Sequence, residues 1–179
     1  MVSFVDNAGS SSIDGFELEG SATLNDSLTA SFQYGYIDAG FDEFVTFDPA
    51  TGTRRNLANQ RAFQNTPKST ASASLTYTAD LGTAGQLFVV PSYSYRDAYQ
   101  LFEVANPAID QKSYSLLDLA VTWALSNGQT RITAAGRNLS DERYRIGGYV
   151  FAGPVFGNVQ NAFYGPPRTY TVSFSHQFR

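Results

Sequence analysis

The sequence predicts an all-β chain of antiparallel transmembrane β-barrel strands, about seven or eight in number. Three observations predict it. Apolar and polar residues alternate with period two along most of the chain. The polar face is made of Ser, Thr, Gly and Gln rather than Lys and Glu. The connections alternate between short polar turns and long irregular segments.

Composition sets the frame. Aromatics are 15%, with 14 Phe and 11 Tyr, while charged residues are only 16% of the 179, against about 25% in an ordinary soluble domain. Mean hydropathy is nevertheless slightly negative, at −0.23, and no apolar run is long enough for a transmembrane helix. Many aromatics among small polar residues suit a wall whose lipid-facing and lumen-facing side chains alternate. The net charge of −4 offers no clustered basic surface, so no nucleic-acid partner is expected. With no cysteine, disulfides and thiolate metal sites are excluded and the compartment cannot be read from cysteine pairing. Residues 1–6 carry no basic stretch, apolar core or cleavage site of an export signal. A protein bound for an outer membrane needs export, so the chain is expected to be mature, truncated or a piece of something longer.

The strands follow in order. Phe16, Leu18, Gly20, Ala22 and Leu24 oppose Glu17, Glu19, Ser21 and Thr23. Leu28, Ala30, Phe32, Tyr34 and Tyr36 oppose Thr29, Ser31, Gln33 and Gly35. Ala71, Ala73, Leu75 and Tyr77 oppose Thr70, Ser72, Ser74 and Thr76. Leu87, Val89, Tyr93 and Tyr95 oppose Ser92, Ser94 and Arg96, with Phe88 and Val90 blurring the pattern. Pro91 cannot donate to a ladder, so it marks a bulge or a local misreading of this strand. Leu117, Leu119, Val121 and Trp123 oppose Asp118, Ala120 and Thr122. Ile132, Ala134 and Gly136 oppose Arg131, Thr133 and Arg137. In the last run Tyr170, Val172, Phe174, His176 and Phe178 oppose Thr169, Thr171, Ser173, Ser175 and Gln177. Runs of about 9–12 residues suit tilted strands crossing the hydrocarbon layer. The apolar face mixes Ala and Gly with large residues, which lipid tolerates and a close-packed core does not.

Short turns fall at 25–26, 80–85 and 126–129, and long segments at 42–66, 100–111 and 139–166. In bacterial outer-membrane barrels the short turns are periplasmic and the long loops extracellular. The last strand then runs inward and leaves Arg179 in the periplasm. Tyr77 and Trp123 fall beside short turns, and Tyr34, Tyr36, Tyr93 and Tyr95 toward long loops, as two interfacial girdles do. Asn138 and Asp141 suit a strand-to-loop turn in which their side chains bond nearby backbone. Pro166 and Pro167 hold the loop off the sheet before Arg168 begins the final strand.

Chemistry is sparse. His176, the only histidine, lies on the apolar face, where an interfacial role outweighs that of a base or metal ligand. No phosphate-binding or dinucleotide-binding glycine pattern occurs. No catalytic residue, metal or cofactor is assigned, and no enzyme is expected. Glu17, Glu19, Asp118, Arg131 and Arg137 face the lumen, where they either contact a ligand or are simply solvated or paired.

Five segments in order carry a family resemblance. They are Asp6-Asn7-Ala8-Gly9-Ser10 leading into Gly15-Phe16-Glu17-Leu18-Glu19, then Gly35-Tyr36-Ile37-Asp38-Ala39, then Asn65-Thr66-Pro67-Lys68. The fourth is Gly136-Arg137-Asn138-Leu139-Ser140-Asp141-Glu142-Arg143-Tyr144, and the fifth Tyr164-Gly165-Pro166-Pro167-Arg168-Thr169-Tyr170. Together they resemble the C-terminal part of the barrel of TonB-dependent receptors. The family motif maps onto Asn138, Leu139, Ser140, Asp141, Tyr144, Gly165, Pro167 and Arg168. The terminal strand, with Tyr170, Phe174 and Phe178, resembles the signal read by the barrel assembly machinery, although here Arg179 follows the aromatic.

The resemblance implies an outer-membrane receptor embedded in lipid and energised through TonB for uptake of a ligand such as a ferric siderophore. It implies that residues 1–179 are the C-terminal segment of a larger barrel, with residues 1–6 the stub of a further strand. The plug domain, TonB box and signal peptide are expected in a missing N-terminal part. Arg54, Arg55 and Arg61 in the first long loop are candidates to attract an anionic siderophore, or are solvated. Phe151, Phe156, Phe163 and Tyr164 contact a ligand or pack among the loops. The alternative is a complete eight-stranded barrel serving as a structural protein or passive pore, but residues 1–6 are too short for an eighth strand.

Overall fold

In the computed structural model, which describes residues 9–48, 51–151, 153, 155 and 157–178, the regular structure is almost entirely strand. The strands are β1 (Ser11–Asn25), β2 (Leu28–Phe41), β3 (Val45–Asp48), β4 (Thr53–Asn56), β5 (Ser69–Asp80), β6 (Gln86–Arg96), β7 (Tyr114–Ala124), β8 (Thr130–Arg137), β9 (Arg145–Phe151), β10 (Val159–Tyr164) and β11 (Thr169–His176). Seven of them form one antiparallel sheet in the order β1-β2-β5-β6-β7-β8-β11. Among the described residues β1 and β11 each pair on one side only. Among the described residues the sheet is thus an open wall with two free edges, and no pairing closes it as eight strands. The expected strand stub at residues 1–6 lies outside the described residues, as does Arg179.

Local chemistry makes the short turns. The Asn25 side-chain carbonyl accepts from Ser27 N at 2.9 Å, the Asp80 carboxylate from Gly82 N at 2.8 Å, and Asn127 Oδ1 from Gln129 N and Thr130 N, each at 2.9 Å. Asx side chains that bond the backbone two or three residues on are good turn formers. Gly85 has φ 102°, and a Cβ there would lie 2.1 Å from the Ala124 carbonyl oxygen. Trp123 donates to the Ala84 carbonyl at 2.8 Å, which fixes the indole against this turn.

In β5 and β7 the burial pattern is inverted relative to a water-soluble sheet. In β5 the apolar Ala73, Leu75 and Tyr77 are exposed while Ser74, Thr76 and Thr78 are half-buried. In β7 Leu117, Leu119 and Trp123 are exposed while Asp118, Ala120 and Thr122 are half-buried. Curvature crowds the polar face on the concave side and splays the apolar face outward. An outward apolar surface is stable where the solvent is hydrocarbon. Phe16, Tyr34 and Tyr36 sit ring to ring on that face, 5.8 Å apart in each pair with Phe16.

The structure revises several sequence-based expectations. Pro91 introduces neither a bulge nor a break. β6 runs through it, pairing Pro91 with Leu119 on one side, while the β5 ladder loses the pairs between Ser74↔Ser92 and Tyr77↔Val89 without changing register. The missing N–H removes a bond and leaves the strand path intact. Phe88 and Val90, ambiguous in sequence, lie inward with Thr122 and Ala120. Strand lengths run from 15 residues in β1 to 8 in β11. At about 3.3 Å per residue, the wall falls from roughly 50 Å to roughly 26 Å in strand length across the sheet. β11 ends at His176, so Phe178 lies beyond the strand. The long segments are not irregular throughout, because β3–β4 and β9–β10 are hairpins within them.

Candidate functional site: a hydroxyl-lined lumen below tied loops

Cross-strand register arranges the inward residues in rows. At the end carrying the long loops, Glu17, Gly35, Thr70, Arg96 and Tyr114 are successive partners across five strands. The next row reads Glu19, Gln33, Ser72, Ser94 and Leu116, and the one after it Ser21, Ser31, Ser74, Ser92 and Asp118. Further along lie Thr78, Phe88, Thr122, Thr133 and Ser173, and then Asp80, Gln86, Ala124, Arg131 and Ser175. Charge is therefore spread over several rows, with Glu17 and Arg96, then Glu19, then Asp118, and finally Asp80 and Arg131, while serine and threonine hydroxyls fill many of the positions between. Thr122 and Thr133 hydrogen-bond across strands at 2.9 Å, and Ser72 donates to Gln33 at 3.4 Å. The serine rows line an open concavity of about 590 Å³, and Arg96, Tyr114 and Tyr144 line a second of about 470 Å³. Such a surface offers many weak, exchangeable hydrogen bonds to water or to a polar body held in the lumen. Among the described residues no cluster of three or more metal-ligating side chains occurs.

The residues of the family motif converge on one knot at the head of β8 and β11. Asn138 is 3% exposed and adopts φ 50°, a left-handed conformation that Asn tolerates better than most residues. Its backbone N–H donates to Asp118 Oδ1 at 2.7 Å. Its side-chain amide donates to the Glu142 carbonyl at 2.9 Å and the Pro166 carbonyl at 3.1 Å, and accepts from Glu142 N at 2.8 Å. Asp141, with φ 56°, accepts from Arg168 N at 3.0 Å and pairs with the guanidinium at 3.6 Å. Arg168 also donates to the Leu139 carbonyl at 3.3 Å, while Leu139 N donates to Leu117 O at 2.7 Å. Tyr144 stacks on Tyr114 at 4.6 Å and covers Gly165, where a Cβ would fall 2.1 Å from the ring. Burial pushes the Tyr144 hydroxyl above its usual pKa, and the nearby Asp118 carboxylate adds to the effect. Ser140 is exposed in the turn, and Pro167 follows Pro166 on the way into β11.

The loop arginines do not form one cluster. Arg54 and Arg55 are consecutive in β4, opposite Phe47 and Thr46, so their side chains leave opposite faces of that hairpin. Arg61 is half-buried, with its guanidinium over the Phe44 ring at 5.4 Å and Nε 3.9 Å from Glu103. Its geometry is that of a tie between loops. Tyr149 meets Phe163 edge-on at 5.5 Å, and Arg143 covers Tyr164 at 4.2 Å; Phe156 lies outside the described residues. His176 Nδ1 lies 2.9 Å from Thr130 Oγ1 and its ring packs edge-on against Phe178 at 4.6 Å. Residues that the sequence reading passed over are Tyr99, Gln111 and Arg145. Tyr99 donates to Arg145 O at 2.9 Å, and Arg145 N donates to the Gln111 side chain. These contacts span 46 and 34 residues, and no local pattern encodes them.

Comparison with known proteins matches the wall. No curated protein matches the sequence. Among solved structures, the ferric yersiniabactin uptake receptor FyuA from Yersinia pestis superposes with a TM-score of 0.73 at 21% identity, covering 97% of this chain and 24% of that one. The siderophore receptor PiuA from Acinetobacter baumannii gives 0.68 at 20%, covering 93% and 22%. FpvAI, solved as a complex with pyocin S2, gives 0.62 at 18%, covering 94% and 20%. The chain thus spans a fifth to a quarter of the length of these chains and shares their fold. The family model for the TonB dependent receptor-like β-barrel matches residues 2–139. The chain belongs to the TonB-dependent receptor family, whose β-barrels stand in the outer membrane.

Proposed function

We propose that this chain is the C-terminal wall of an outer-membrane receptor that takes up a ligand such as a ferric siderophore with energy delivered through TonB. The observation that carries the reading is a membrane-type sheet whose outer strands β1 and β11 each pair on one side only among the described residues, corresponding to a fifth to a quarter of each solved chain it resembles. Unpaired strand edges are prohibitively costly in lipid, so the remaining strands come from an N-terminal part of the same protein. That part also supplies the plug domain, which the lumen surrounds and TonB acts on. In this reading the short turns and the end of β11 are periplasmic, and the long loops are extracellular. Tyr170, Phe174 and Phe178 present the strand end to the barrel assembly machinery. Arg54 and Arg55 carry positive charge on the outer hairpin toward an anionic ligand, while Arg61 supports the loops.

Sequencing the DNA upstream of the Met1 codon and assaying uptake tests this reading. The expected result is an in-frame plug, TonB box and signal peptide, with ferric-siderophore uptake lost when TonB is deleted. A stop codon before Met1, together with heat-modifiable gel migration of the refolded 179-residue chain, would indicate a small closed barrel and overturn it.

A further inference from the structure

The described segments that project beyond the wall are not three independent loops. Phe41, at the head of β2, shares the inward face with Gln33 and Gly35 by strand alternation. Phe63 stacks on it at 4.5 Å and Phe44 meets it edge-on at 5.0 Å. The first long loop thus folds over the lumen side of the wall. From there it is bonded to the second loop, with Ala62 N donating to Glu103 O and Asn65 N to Gln100 O, both at 2.9 Å.

The second loop has its own interior. Tyr99, Leu101 and Ile109 are the buried hydrophobic residues among those described, and Phe102, Tyr114 and Val150 pack against them. Tyr99 and Gln111 exchange backbone hydrogen bonds at 3.0 Å. The Asp110 carboxylate closes the loop from inside, accepting from Leu101 N at 3.2 Å and Asn106 N at 2.6 Å. On its far side the loop grips the third segment. The Arg145 guanidinium donates to Asp110 O at 2.9 Å and Ala108 O at 3.3 Å, Tyr99 bonds Arg145 O, and Val150 of β9 enters the shared core.

We infer that residues 97–113 are a keystone joining the first loop and the β9–β10 hairpin into one cooperative cap over the lumen. The first loop and the hairpin each bond to residues 97–113. Loops that float separately open with little cost, whereas segments sharing one core and backbone bonds open together. A ligand that engages any of the three segments therefore shifts the other two.

Hydrogen exchange on the full-length protein in detergent tests this without reference to transport, ligand or TonB, so its failure is separable from failure of the proposed function. Asp110→Ala removes the internal acceptor of the keystone. The expected result is exchange about tenfold faster at Ala62 and Asn65 in the first loop and at Arg145 in the third segment, with the amides of β7 and β8 unchanged. Faster exchange confined to residues 99–111 would overturn the inference. Arg145→Gln serves as the second variant should Asp110→Ala fail to fold. It removes two guanidinium bonds and is expected to loosen Ala62 and Asn65, which it does not touch. Unchanged exchange at those two amides would again overturn the inference.

Discussion

In the wall, Leu75, Tyr77, Leu117 and Leu119 point away from the lumen and remain exposed. In the cap, Tyr99, Leu101 and Ile109 are almost wholly covered. The wall satisfies its backbone through ladders and leaves its apolar side chains to lipid, so it needs no interior. The cap projects beyond the strands and has few ladders. It must gather an apolar core of its own and bond its backbone through side chains such as Asp110 and Gln111. One chain thus follows two rules, set by which solvent each part meets.

The largest expected effect tests the wall's side of this contrast. Leu119→Arg places a charge on the outward face near the middle of β7 and is expected to cost about 3 kcal/mol, as arginine does near the bilayer midplane. Ala120→Arg, one residue on and facing the lumen, is expected to cost under about 1 kcal/mol, since the lumen accepts charge. Denaturant unfolding of the full-length protein from lipid vesicles reads the difference. Equal costs would mean that the two faces are wrongly assigned.

The knot between wall and cap comes next. Asn138→Ala removes three side-chain hydrogen bonds at a residue with positive φ, and is expected to destabilise the β8–β11 junction by about 2 kcal/mol. Asn138→Gly recovers only the conformational part. Amide exchange at Glu142 and Arg168 is the measurement. If Glu142 stays as protected as before, the side chain of Asn138 is not what holds the turn.

The smallest effect belongs to the lumen. Ser31→Ala, within a row of serines whose side chains make no hydrogen bond to one another among the described residues, is expected to change stability by less than about 0.5 kcal/mol. A loss several times larger would mean that the hydroxyl band is a fixed network rather than a wet surface, and vesicle unfolding of the variant distinguishes the two.

Much of the wall was legible because a strand's two faces repeat every second residue and its solvent imposes one rule on each face. The runs beginning at Phe16 and Leu28 appear in the structure with the expected faces, extended to Ser11 and Phe41 at their outer ends. The turns were legible because Asn25, Asp80 and Asn127 act within two or three residues. Pro91 misled because a proline's cost depends on its neighbours. The register on both sides of β6 carried the strand through it.

The candidate site was legible only in part. Asn138 and Asp141 were recognisable as turn residues, but their ties to Asp118, Pro166 and Arg168 reach 20 to 28 residues along the chain. Arg61 read as a loop cation, and only folding put it against Phe44 and Glu103. Tyr99, Leu101 and Ile109 belong to no continuous alternating run, since Glu103 and Pro107 fall between them, so nothing marked them as a core.

The sequence by itself determined a membrane wall, its two faces, its short turns and its family, because each of these depends on neighbours within a few residues. The tertiary structure decided the register through Pro91, the Asn138 knot and the tied cap. Those depend on which distant segments meet, and that is settled by the summed pairing of seven strands rather than by any local pattern.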